Sequence, residues 1–202
     1  DEWNLDSINS DTTLKPILSI FCASRELSLA LTLHELTRDP SQATNDEIIQ
    51  HNIHGIFHRQ RKISEEYLRK KNLTINIGQT RKLMNLTKSF GLIPKILLDN
   101  AIKYAARNSR ISINFTETQN FFRIEVLNSG PAVRENEIEE LFCKRRRGSN
   151  RSGVDGRGMG LWLASMIVEA NKGTIQMDVV EASKDLANRR IGTTKIVIQL
   201  LR

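Results

Sequence analysis

The chain runs to 202 residues, with 39% hydrophobic and 26% charged side chains, which suits a globular protein of one large domain or one domain with a smaller helical attachment. No apolar run approaches the ~20 residues that a membrane helix needs, and no signal peptide opens the chain, which begins on Asp1 as a piece of a longer protein would. The formal charge of +7 points to acidic partners such as phosphates, nucleic acid or an anionic membrane face, while Cys22 and Cys143 are too few for a disulfide framework and imply a reducing cytoplasm.

Residues 13–38 place Leu14, Leu18, Phe21, Leu27 and Leu31 at near-helical spacing. "DPSQATN" breaks the pattern. A second helix is expected from Asp46 to Leu68, with Ile49, Ile53, Ile56, Ile63 and Tyr67 as its apolar stripe and Thr44 or Asn45 as its cap. Two amphipathic segments and a short turn predict an antiparallel helical hairpin over 1–70, whose stripes need a further surface, such as a second copy of the hairpin. His51, His54 and His58 would then share one helix face, either a metal site or plain polar surface. The runs "RQRK" and "RKK" (59–62 and 69–71) read as solvated charge.

From about residue 71 the pattern changes. "LTINIG" alternates as a strand does, "GLIPKILLDNAIKYAARN" is helical with Pro94 in its first turn, and "RISINFT" and "FFRIEVLN" form a hairpin around "ETQN". "ENEIEELF" reads as a short helix and "MGLWLASMIVEAN" as a longer one ending before Gly173. "TIQMDVV" and "GTTKIVIQLL" are two more strands, joined by a polar, charged stretch. The expected fold over 71–202 is α+β, a mixed β-sheet with helices on one face.

Gly156, Gly158 and Gly160 follow the basic stretch "KRRRGSNR" and lead into a helix. Glycines let phosphate oxygens approach the main chain, and a helix N-terminus offers unpaired N–H groups. The competing account is a surface loop whose glycines only relax its turns. In order along the chain, "LLDNAIKYA", "LNSG", "LFCKRRRGSNRSGVDGRGMGL" and "GTTKIVIQL" resemble the nucleotide-binding boxes of the histidine-kinase-like (GHKL) ATPases, and look most like those of sensor histidine kinases.

That resemblance implies roles for individual residues. Asn100 matches the asparagine that coordinates Mg²⁺ bridging the ATP phosphates, its carboxamide oxygen being a neutral hard donor. Lys103, one turn on, matches the phosphate-pairing lysine, and Tyr104 the aromatic near adenine. Asn128 and Gly130 fall in the first glycine box. There the family has an aspartate that accepts from the adenine amino group; an asparagine accepts too but adds two donors, which implies weaker adenine binding and poorer rejection of guanine. Phe142 precedes a lid running from Cys143 to Asp155, in which Arg145, Arg146 and Arg147 are candidates for the γ-phosphate. Without interleaved aromatics this basic run is not expected to hold nucleic acid. Gly156, Gly158, Gly160 and Leu161 form the second glycine box, and Thr193 and Thr194 the last one. Ile96 stands where topoisomerase-type relatives have a general-base glutamate and many kinases an asparagine; it can move no proton.

His34 and Glu35, in "LHELTRDP", partly resemble the family's phosphoacceptor box, with Glu35 placed to take the imidazole proton. The threonine comes one place early and His34 is close in sequence to Asn100; His54 is the fallback acceptor. The sequence therefore predicts the cytoplasmic core of a sensor histidine kinase. It would form a homodimer through the hairpin, use ATP and Mg²⁺, and pass phosphate from a histidine to a response regulator, any sensory or membrane segment lying upstream. The alternative is a nucleotide-binding regulatory module without phosphotransfer, favoured by Asn128, Ile96 and the off-pattern acceptor box; a kinase acting on serine or on a partner's histidine is a third option.

Overall fold

A computed structural model describes residues 15–144, 158–184 and 190–201. Helix α1 spans Lys15–Arg38. It ends because Asp39-Pro40 cannot continue it: the residue before a proline is pushed out of the helical region. The Asp39 carboxylate instead accepts from the Ser41 amide (3.2 Å) and hydroxyl (2.6 Å), capping a 3-10 turn over Pro40–Ala43.

The next segment departs from expectation. Residues 48–52 form strand β1 (Ile48–Asn52), paired antiparallel with β3 (Leu83–Thr87) in a two-stranded sheet, so the single second helix expected from Asp46 to Leu68 for the hairpin does not form. The physical reason is local. The Asn52 side chain accepts from the Gly55 amide at 2.9 Å, which starts helix α2 (Ile53–Ile63) there rather than at Asp46. The β-branched pair Ile48-Ile49 is left free to join a strand, and pairing overrides the helical periodicity. Helix α3 (Glu65–Lys71) follows after Ser64 and stops at Asn72, which adopts φ 52°. Ile53, Phe57 and Leu68 are buried in the same core as the later strands, and the Phe57 ring meets Phe115 edge-on at 5.7 Å. His51 therefore lies on a strand, apart from His54 and His58, whose rings stack at 5.7 Å on α2. Its Nε2 lies 3.0 Å from the Thr87 carbonyl, and burial pushes its imidazole below the usual histidine range.

Beyond Asn72 the expected layers appear. Strands β2 (Thr74–Ile77), β4 (Arg110–Glu117), β5 (Phe121–Pro131), β6 (Gly173–Lys184) and β7 (Arg190–Leu201) make one sheet in the order β2-β4-β5-β7-β6. Only β2–β4 is parallel. Helices α4 (Ile93–Tyr104) and α5 (Gly160–Ala170) lie against it and against each other. Alternation selects the covered face: Phe122, Ile124 and Val126 of β5 and Ile196, Ile198 and Leu200 of β7 are buried beneath the helices. "ENEIEELF" forms two 3-10 turns, Glu135–Glu137 and Glu139–Phe142, in place of one helix. Asn171, just past α5, accepts from the Thr87 amide and donates to the Thr87 hydroxyl, both at 2.8 Å, which ties the small sheet to the large one.

Candidate nucleotide site

The sequence boxes meet at one corner of the sandwich, where α4 ends, β5 ends and β7 begins. Asn100, Lys103 and Tyr104 occupy the last turn and a half of α4, spaced i, i+3 and i+4, and all three are half-buried. The Lys103 ammonium lies 5.2 Å from the centre of the Tyr104 ring, a cation–π distance. Ile93, Ile96, Leu97, Leu98, Ala101 and Ile102 are buried along the same helix and fix its rotation. Ile96 occupies the covered face, and a Cβ on Gly160 would rest 3.5 Å from its methyl. The start of α5 thus lies beside α4 one turn before Asn100.

Beneath this turn runs the end of β5. Asn128 is only 4% exposed and Thr194, its register partner on β7, 7%. Both follow the buried parity of their strands, so they face the helices at the point where the apolar core stops. The Asn128 carboxamide has no hydrogen-bond partner among the described residues and keeps some contact with solvent. A polar group left open in this way is suited to an external ligand. On the sheet's other face, the next pair, Ser129 and Thr193, brings its hydroxyls to 3.2 Å.

Gly130 explains how strand and helix come so close. A Cβ there would collide with the Tyr104 carbonyl, and the adjacent Ala106 amide donates to the Ser129 carbonyl at 2.8 Å. No residue other than glycine lets β5 pass under the carboxyl end of α4 in this way. Phe142 closes the 3-10 turn at Glu139–Phe142, half-buried against α5. Next in sequence but one, Lys144 places its ammonium 4.7 Å from the Trp162 ring of α5. Arg145, Arg146, Arg147 and Gly156 lie outside the described residues. Gly158 has φ 66°, a left-handed conformation that favours glycine, and it leads through Met159 into Gly160 and the buried Leu161.

Chemically the corner offers a neutral carboxamide on α4, an ammonium one turn on, a buried carboxamide and hydroxyl on the sheet floor, and a helix N-terminus. Asn100 fits a hard cation as one ligand among several, since Mg²⁺ keeps water and phosphate oxygens for its other positions. Among the described residues no group of three or more His, Cys, Asp or Glu is placed to hold a metal on its own. His34 and Glu35 lie elsewhere, both exposed near the end of α1, where Glu35 lines a shallow hollow with Arg38, Asp39 and Gln42.

One residue of this corner was hidden in a charge run. Lys71, read as solvated, sends its ammonium to the carbonyls of Ile102 (2.8 Å), Lys103 (2.7 Å) and Ala105 (3.4 Å). Nothing in the spacing of "RKK" signals this, because the contact joins two helix ends brought together only by the fold.

Comparison with known proteins agrees with the geometry. The family profile described as histidine kinase-, DNA gyrase B- and HSP90-like ATPase matches residues 88–201. The adaptive-response sensory kinase SasA of Synechocystis sp. is 29% identical over 157 residues, covering 72% of this chain and 41% of SasA, so the chain spans less than half of that relative. Among solved structures, the catalytic domain of histidine kinase ThkA superposes with a TM-score of 0.62 at 19% identity, covering 77% of this chain and 95% of that one. ThkA in complex with the response regulator protein TrrA covers 94% of this chain and 52% of that one, with a TM-score of 0.58 at 18% identity.

Proposed function

This chain belongs to the histidine kinase-, DNA gyrase B- and HSP90-like ATPase family, and we propose that it is the core of a sensor histidine kinase that binds Mg·ATP and moves the γ-phosphate to a histidine. The observation that carries the reading is the convergence of the α4 carboxyl end, the Asn128–Thr194 floor and the glycine turn before α5 at one corner. In this reading the floor takes the base, with Tyr104 beside it, and Phe142 and Leu161 close the apolar side. Asn100 holds the cation, Lys103 pairs with phosphate, and Arg145, Arg146 and Arg147 meet the γ-phosphate from the segment after Lys144. Gly156, Gly158 and Gly160 leave room for the phosphate oxygens. Bound Mg²⁺ would neutralise charge on those oxygens.

In the transfer itself, an imidazole nitrogen of His34 forms the bond to the γ-phosphorus as the bond to the ADP oxygen breaks, and Glu35 receives the imidazole proton. The phosphoryl group then passes to a response regulator, a partner class supported by the ThkA–TrrA complex. The protein would act in the cytoplasm; no helix among the described residues is long and apolar enough to cross a membrane. The ATP-binding domain starts near Asp46 in this proposal, because α2 and α3 share its core and β1 pairs with β3. Helix α1 supplies the dimer contact. Its positions 17, 20, 24, 27, 31 and 34 are spaced alternately by three and four, as along a coiled-coil seam, and Ile17, Ile20, Leu27 and Leu31 there are exposed.

The buried, apolar Ile96 favours a second reading, a nucleotide-binding regulatory module without phosphotransfer. Incubation with γ-labelled ATP and Mg²⁺ separates the two. The kinase reading predicts an acid-labile, base-stable label on the protein that His34→Gln removes. Label retained in His34→Gln moves the acceptor to another histidine. No label, together with nucleotide-dependent thermal stabilisation, establishes the module.

A further inference from the structure

We propose that Lys71 is a positioning residue for the phosphate and metal end of the nucleotide site. The inference rests on the nucleotide reading above and names what holds its α4 half in place. The carbonyls in the last turn of an α-helix lack intrahelical partners and carry a partial negative charge. Of those closing α4, Ala101 receives the Ala105 amide at 2.8 Å. Ile102 and Lys103, with Ala105 just beyond, receive the Lys71 ammonium, whose three donors match three acceptors.

Lys71 is itself the last residue of α3, so two helix carboxyl ends meet here and each is capped from the other's side. The Asn108 amide donates to the Lys71 carbonyl at 3.1 Å, and Arg107 reaches the Lys70 carbonyl at 3.5 Å. The Asn72 and Asn108 side chains join at 2.9 Å. On its far side the same turn rests on β5, through the Ala106–Ser129 hydrogen bond and the Gly130–Tyr104 contact. The stretch from Asn100 to Ala106 is thus gripped between a lysine and a strand, and Asn100, Lys103 and Tyr104 all project from it. Burial and the neighbouring Arg107 push the Lys71 ammonium below its ordinary range, a cost consistent with its being held in place rather than solvated.

The grip bears on one half of the site. Asn128 and Thr194 belong to the β5–β7 ladder and need no help from Lys71. Loss of the ammonium should therefore weaken contacts to phosphate and metal more than contacts to the base, where Tyr104 alone depends on the grip. The test is calorimetric titration of the full chain with Mg·ATP and, separately, with adenosine. Lys71→Met is expected to weaken Mg·ATP binding about tenfold, the scale of a lost charge-assisted hydrogen bond, and adenosine binding at most about twofold. Lys71→Arg, which keeps charge and donors, should recover most of the loss. Lys71→Gln carries the same comparison if the methionine variant does not fold. Unchanged Mg·ATP binding, or equal losses for ATP and adenosine, overturns the inference. A wild-type chain that binds neither ligand overturns the nucleotide reading, and this inference with it.

Discussion

Helix α1 and the sandwich use apolar residues in opposite ways. In the sandwich, alternation along β4, β5 and β7 puts every second side chain under a helix, and Ile111, Ile113, Ile124 and Ile198 are fully buried. Helix α1 is apolar on two sides. Leu29, Leu33 and Leu36 lie against the core, whereas Ile17, Ile20, Phe21, Leu27 and Leu31 remain between 50% and 70% exposed. A helix with one satisfied face and one bare one is held by the domain but unfinished by it. The sandwich can therefore be expected to fold on its own contacts, and α1 to be completed by association.

The largest effect expected on the sandwich side comes from Gly130→Ala. Its Cβ meets the Tyr104 carbonyl, so strand and helix must separate, at a cost of about 2–4 kcal/mol seen as a lower melting temperature. Unchanged melting would mean that the α4–β5 contact is softer than described. A middle-sized effect sharpens the account of the sheet floor. With Asn128, whose amide both donates and accepts, ATP and GTP should bind within about tenfold of each other. Asn128→Asp, which only accepts, should raise the preference for ATP by about tenfold in competition titrations. A wild-type preference already far above that range would remove Asn128 from base selection. The smallest effect on the sandwich belongs to α1: Leu27→Lys should change its stability by less than about 0.5 kcal/mol, as surface substitutions do. The same variant should shift sedimentation toward monomer. A variant that still associates like wild type would place the dimer contact elsewhere.

The same contrast shows what could be read from the sequence. The hairpin of β4 and β5, helix α4 with Pro94 in its first turn, and the strand at β7 all carry a clean period of two or of 3.6, and each formed as expected. Residues 46–68 misled because Ile49, Ile53 and Ile56 fit a helix, while the features that decide the outcome are a cap at Asn52 and a partner strand over thirty residues away. Strand β3 gave no warning, as "LMNLT" is short and flanked by charge. At the candidate site, the glycine and asparagine positions were picked out through the resemblance of their boxes to those of a known family. Lys71 was not, since three carbonyls on another helix define its role.

The central claim is that Asn100 and Asn128, on different elements, serve one nucleotide. Side-chain amide resonances report it directly in a ¹⁵N-labelled chain titrated with ATP and Mg²⁺. The account predicts that both carboxamide signals move with the same saturation curve, Asn100 responding to Mg²⁺ and Asn128 to adenosine alone. Signals that stay in place at saturating Mg·ATP, or that follow two unrelated curves, would contradict it.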